Sequence, residues 1–527
     1  MRSMNLTGML NLKKISNPYN LPSPYDHWKD GHLQYLQDVV DIVAQFEWIY
    51  NFKVVDFFKE RIWEKIPEEW QQPLLQLSYE DLKYIPQGRV KEFWPESLQN
   101  FIAKVAALAM PREPNQNIDK AEIQDDIGLG MIPKKRHEVE SMASFIAKMC
   151  ENYGCETVVD IGSGLGYLGQ VLNSLYKMKI VGLDSNSQRS ESAITRNVKV
   201  ISKRNASLST WNGSRPQDIN SITLRISGDT QSYQELTRLV EDLSINHTNN
   251  SKGLYCPIGV NKKSTRDDNC EAVASFPNQN QENLTIPICF AGLHCCNDLT
   301  PNILHYVGEH CPFSALLVCV GCCYHGMTTP LPERQDTKAN SCFKNFPMSF
   351  HLNDILSQMS KKYHDWQMGI YAMRLAAQET RKRWEKMSLA QHVLHTKNVA
   401  YRSIVNEALP REIRETNQGR VRIKVSAAMT FEDYTKIYLN RIQAVTDENY
   451  EKCFATCMQK YKEHELVIPY AEAITALQVL FQPLLESIVT IDRCLYLNEL
   501  NIDCGIIPLF EEYISPRNLA IVGMKII

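Results

Sequence analysis

One stretch constrains this chain more than any other: Val158-Val159-Asp160-Ile161-Gly162-Ser163-Gly164-Leu165-Gly166-Tyr167-Leu168-Gly169. A short apolar run reaches an acid, glycines follow at every second position, and a helical pattern begins. Glycine there lets the backbone turn sharply and approach a ligand with no side chain in the way. Ile180-Val181-Gly182-Leu183-Asp184 reads as a second buried strand. Asp184 then stands where the second strand of a βαβ unit offers a carboxylate to ribose hydroxyls.

Two cofactor classes use such a turn. Gly164, Gly166 and Gly169 satisfy G-x-G-x-x-G, the dinucleotide pattern. Asp160, two residues before Gly162, favours S-adenosylmethionine instead. An acid there suits the ammonium of a methionine moiety, whereas it would repel a pyrophosphate. The expected cofactor residues are Asp160, Gly162, Gly164, Gly166 and Asp184.

The length of 527 residues allows two or three domains. A net charge of −3 gives no global basic field of the kind that announces nucleic-acid binding, and no sequence-specific DNA contact is expected. The 16 cysteines lie mostly in apolar runs, some adjacent, as reduced intracellular thiols do. No continuous apolar run reaches membrane-spanning length, so no membrane segment is expected. The expected compartment is cytoplasmic or nuclear. The first 25 residues hold Arg2, Lys13 and Lys14 without an acid, which leaves a mitochondrial leader as the lesser alternative.

In chain order, residues 1–110 read as a helical domain, with apolar positions three and four apart from Leu36 to Ile49. Residues 111–130 are polar and read as a linker. Pro133-Lys134-Lys135-Arg136-His137 opens a helix, and bases at a helix start are disfavoured by its dipole. They form either a solvated turn or a site in which Lys135 or His137 lines the cofactor or substrate mouth. Residues 222–227 are the expected third strand, with Asp229 beyond its end facing adenine. Residues 246–282 read as a loosely ordered insertion within a core spanning 131–327.

Two further strands are expected at 286–293 and 315–320. They end in His294-Cys295-Cys296-Asn297-Asp298 and Gly321-Cys322-Cys323-Tyr324-His325. Ligands bind at the carboxyl ends of parallel strands, so both clusters should face the glycine turn. Adjacent cysteines are poor spacing for one tetrahedral ion, and no metal is expected. Buried structural thiols are one alternative; a catalytic floor of His294, Asp298, Cys323 and His325 is the other. Histidine suits proton removal near neutral pH. Residues 328–469 read as a helical insertion, and 470–527 as a helix and hairpin completing the sheet. Between 371 and 430, twelve Lys or Arg face five Glu. That segment is either a solvated face or a patch for a polyanion such as RNA.

Together these stretches resemble the methyltransferase-like protein 25 family over most of the chain. The residues that carry the likeness are Pro133-Lys134-Lys135, His137-Glu138-Val139, Asp160 to Gly166, Gly292-Leu293-His294 and Val320-Gly321-Cys322-Cys323-Tyr324-His325. Phe346-Pro347-Met348-Ser349, Asp492-Arg493 and Ser515-Pro516-Arg517-Asn518 complete it. The resemblance implies a seven-stranded, Rossmann-like class I methyltransferase core using S-adenosylmethionine. The strand-end motifs are also similar to those of tRNA 2′-O-methyltransferases, which implies an RNA ribose hydroxyl as acceptor. Those groups usually place glycine after the cysteine, where this chain has Asn297. The change implies an altered turn and, with the large insertions, makes a catalytically inactive cofactor-binding scaffold one alternative; a protein or small-molecule methyltransferase, in which the basic segment is merely a solvated face, is another.

Overall fold

The computed structural model describes residues 17–27, 30–114, 119–207, 219–245, 287–330, 343–378, 380–416, 421, 423–442 and 444–527. The insertion expected at 246–282 lies outside them. Seven strands form one sheet: β1 Thr157–Ile161, β2 Lys179–Asp184, β3 Ile219–Thr223, β4 Ile288–Cys295, β5 Ala315–Gly321, β6 Asp503–Pro508 and β7 Leu519–Lys525. Their order is β3-β2-β1-β4-β5-β7-β6. The first five run parallel, and β7 enters antiparallel between β5 and β6. This is the α/β, Rossmann-like arrangement expected from the sequence. The strand order reverses between β1 and β4, the place where open α/β sheets bind ligands.

The central strands are apolar on both faces because helices cover both. Val158, Ile180 and Cys289 face the helices Pro133–Tyr153 and Tyr167–Tyr176. Val159, Ile161 and Phe290 face a much larger helical mass on the other side. At its centre runs Pro469–Glu499, a helix buried on every side. It is long and apolar enough to cross a membrane, yet 94% of its most apolar window is covered by this protein's own residues. Tyr35 of the helix Gly31–Gln45 donates to Ser487 at 3.0 Å, tying the N-terminal helices to it. The N-terminal helices, the helices between 350 and 464 and one face of the sheet share a single apolar core.

Three local expectations change. The third strand begins three residues earlier than expected, at Ile219, and pairs Ile180 with Ile219. Residues 111–130 are not a free linker among those described. Ala121, Ile123 and Ile127 are buried, and Arg112 makes a fully buried ion pair with Glu486. Asn297, in place of the expected glycine, has φ +56° and keeps the left-handed turn. Asparagine enters that conformation more readily than most side chains.

Candidate functional site

The glycine turn leaves β1 with Gly162, Gly164 and Gly166 all at positive φ, at +69°, +57° and +71°. Those angles explain the alternation: each position needs a backbone that an ordinary side chain resists. A Cβ placed on Gly164 would meet nothing within 4 Å, so the turn opens onto free space there. Gly169 serves packing instead, since its Cβ would lie 2.6 Å from Ile180. The turn is tied to β2 twice. Ser163 N–H donates to the Leu183 carbonyl at 2.9 Å, and Gly164 N–H donates to Asp184 Oδ2 at 3.0 Å. The other Asp184 oxygen accepts from Asn186 N–H at 2.9 Å.

Asp160 lies beneath this turn, buried within β1. Burial pushes its carboxyl up to about 7, against the Gly169 N–H and the Lys135 ammonium, which favour the charged form. Asp184 adds to the rise. A carboxyl held at that balance binds an incoming cation by becoming fully charged.

Across the strand ends sits a second buried carboxylate that the sequence reading did not single out. Glu138 Oε1 meets His294 Nε2 at 2.8 Å and accepts from Ser515 Oγ at 2.8 Å. Its Oε2 pairs with Lys135 Nζ at 2.9 Å. Burial alone would raise this group; the His294 ring and the Lys135 ammonium outweigh it and hold the carboxyl well below its ordinary range. His294 itself has φ +65°, a strained backbone for a histidine, where β4 shifts register against β5. A signal for Glu138 existed. Lys134 and Lys135 precede it by four and three residues, so all three share one helix face.

Lys135 therefore stands between the two carboxylates, paired with Glu138 and within electrostatic reach of Asp160. His137 does not. Its Nε2 accepts from Glu511 N–H at 3.1 Å, its ring packs edge-on to Phe510, and it is buried against the C-terminal segment. It is Glu138's immediate neighbour in the helix, and the step of about 100° between consecutive residues turns the two side chains to different sides.

Two expected acids are also occupied by local structure. Asp229 accepts from Ser227 Oγ at 2.6 Å and Ser232 N–H at 2.8 Å, capping the helix Thr230–Ile245. Asp298 accepts from Thr328 N–H and Oγ1 at 2.8 and 2.7 Å, and from Asn345 Nδ2 at 2.7 Å. Asp298 thus pins the chain after β5, with both of its oxygens already accepting hydrogen bonds.

His294, Cys323 and His325 do converge at the ends of β4 and β5. Cys296 Sγ lies 2.7 Å from Cys322 Sγ, and Cys322 Sγ 3.6 Å from Cys323 Sγ. Neighbouring thiols and the His325 and His294 rings favour the thiolate of Cys323. Burial lowers His325, with Arg374 adding to the effect, and its Nδ1 is buried without a hydrogen-bond partner.

Of the basic segment 371–430, several members are spent internally. Arg381 is half-buried, and desolvation lowers its guanidinium against the pull of Glu512. Lys382 pairs with Glu113 at 3.3 Å, and Lys386 lies 3.7 Å over the Tyr513 ring. Lys397 donates to the Met429 carbonyl at 3.1 Å.

Comparison with known proteins agrees with this architecture. Residues 134–330 match a family model described as a methyltransferase domain. A human protein described as probable methyltransferase-like protein 25 is 23% identical, covering 94% of this chain and 96% of its own length. The mouse protein of the same description is 22% identical over 75% of each chain.

Proposed function

From a chain of the methyltransferase-like protein 25 family whose residues 134–330 form a methyltransferase domain, we propose an S-adenosylmethionine-dependent methyltransferase acting on an RNA hydroxyl. The observation that carries the reading is the Glu138–His294 pair, 2.8 Å apart, at the strand ends beside the glycine turn. Bound S-adenosylmethionine would supply an electrophilic methyl group on a sulfonium. The chain's own residues do the rest. Gly162, Gly164 and Gly166 clear space for the cofactor. Asp184 is placed for ribose hydroxyls, exchanging its bond from Gly164 N–H for theirs, and Asp160 balances a cationic amine. His294 accepts the acceptor's proton at an imidazole nitrogen, and Glu138 fixes the ring and stabilises the imidazolium. Methyl transfer is an in-line displacement, so the rigid strand ends matter as much as the base.

The RNA acceptor rests on the similarity of the strand-end motifs to tRNA 2′-O-methyltransferases more than on the basic segment, given how many of its charges are paired internally. Titration calorimetry with S-adenosylmethionine and, separately, NAD tests the cofactor. We expect micromolar binding of the first alone, lost in Asp184→Ala; binding of NAD alone, or of neither, would overturn the reading. Transfer of labelled methyl groups to cellular RNA should fall about 100- to 10,000-fold in His294→Ala. Labelling of protein with RNA left unlabelled would move the acceptor to another class.

A further inference from the structure

The thiols at the ends of β4 and β5 form a cluster that the methyl-transfer reading leaves unused. Adjacent side chains in a strand point to opposite faces, which is why Cys322 and Cys323 look unsuited to a shared ligand. The chain leaves β5 at that very point. Cys323, at φ −104° and ψ 68°, turns into the short 3-10 segment Tyr324–Gly326, which swings its sulfur to within 3.6 Å of that of Cys322. From the neighbouring strand, Cys296 completes a group whose three sulfurs all lie within 4.8 Å of one another. Its own position is fixed by the left-handed turn at Asn297, whose Oδ1 closes against Gly326.

We propose that Cys296, Cys322 and Cys323 bind a zinc-class divalent ion, with His325 as the fourth ligand. A tetrahedral ion about 2.3 Å from each sulfur sets sulfurs about 3.8 Å apart, inside the range this cluster spans. His325 follows Cys323 by two residues and its Nδ1 is buried with no hydrogen-bond partner; it stands outside the 4.8 Å group of sulfurs, so its ring would swing inward to coordinate. Three thiols and an imidazole are the donor set that zinc prefers over magnesium or calcium. A disulfide explains less. It would use two of the three sulfurs and leave the third without a role. The ion would clamp the end of β4 to the end of β5, holding His294 two residues from one of its ligands. Binding releases the thiol protons to solvent, and no redox change is involved.

The test uses the full chain, purified under reducing conditions without chelator. Elemental analysis should find one zinc per chain, and Cys296→Ser and Cys322→Ser should each lower that at least about tenfold. Cys453→Ser, in the helix Asp447–His464 well along the chain, should leave it unchanged. Because a ligand variant could misfold, the unaltered protein is also loaded with cobalt(II), whose thiolate charge-transfer and tetrahedral d–d bands report the donor set directly. His325→Ala should shift the d–d bands while keeping the thiolate bands. The proposal is overturned by zinc-free protein with no cobalt spectrum, by metal retained in Cys296→Ser, or by a Cys296–Cys322 disulfide found by mass mapping of the reduced preparation. None of these readouts depends on methyl transfer.

Discussion

Glu138 and Asp160 are two buried carboxylates served by the same lysine, and the protein drives them in opposite directions. Glu138 is held far below its ordinary range; Asp160 is raised to about 7. Burial raises both, so burial does not distinguish them. The difference is the number of donors within reach. Glu138 has an imidazole, an ammonium and a hydroxyl around it. Asp160 has one backbone N–H and a more distant share of Lys135, with the Asp184 charge opposing. One carboxylate is fully partnered within the protein, and the other is short of donors. On the proposed reading, a cofactor that carries an ammonium would partner the second without disturbing the first.

The comparison breaks hardest at Glu138. Glu138→Gln leaves Lys135 and His294 without their anion and should cost about 3–5 kcal/mol of stability by urea denaturation. A loss below about 1 kcal/mol would mean that the pair is not buried as described. Asp160→Asn should do the reverse. Removing an uncompensated charge should stabilise the ligand-free protein by about 2 kcal/mol at pH 8 while weakening S-adenosylmethionine binding. Stabilisation with affinity unchanged would separate Asp160 from the cofactor.

The pH dependence sharpens the contrast. A carboxyl raised to about 7 contributes stability in full below about pH 4, and loses it as pH rises through 7. Glu138 contributes in full above about pH 5 and loses its share only in acid, as pH falls below its unfolded value. Denaturation midpoints should therefore carry a component falling from about pH 4 to 7 that Asp160→Asn abolishes and Glu138→Gln does not. The smallest effect is expected from Lys135→Met, about 1 kcal/mol, because the lysine is partly exposed and only one of several partners. It should raise both carboxyls, readable by carboxyl-labelled NMR, and leave their order unchanged.

The sheet was largely legible because its strands are continuous apolar runs ending in acids or glycine, a pattern that few other structures produce. β3 was misplaced for the same reason: Ile219-Asn220-Ser221-Ile222-Thr223 is an edge strand with three of its five residues polar, and its neighbour Leu224 offered a more apolar frame. Within the site, the backbone-built half could be read and the side-chain half could not. Three glycines in alternation leave a mark in sequence. Whether Asp229 and Asp298 face a ligand or bond a nearby turn depends on a few ångströms of loop, and both chose the turn. Ser227 and Ser232 around Asp229 were the available hint, since aspartate is a preferred helix cap. His137 was misread because its helix face is settled by the hairpin segment Phe510–Glu511, far away in sequence.

One feature of the sheet bears on how the molecule comes into being. The outer edge of β5 is paired by β7, so Leu317 finds its partner Gly523 only after the intervening helices have been made. At typical elongation rates of roughly 5–20 residues per second, that wait is on the order of ten seconds or more. Until then a fully apolar strand of the emerging chain presents an open edge, the form most prone to pairing with the wrong partner. The helix Pro469–Glu499, synthesised just before the hairpin, arrives with its apolar sides equally bare. Closure of the sheet thus waits for the hairpin, and chaperone dependence should be concentrated in the interval between the emergence of β5 and that of β7.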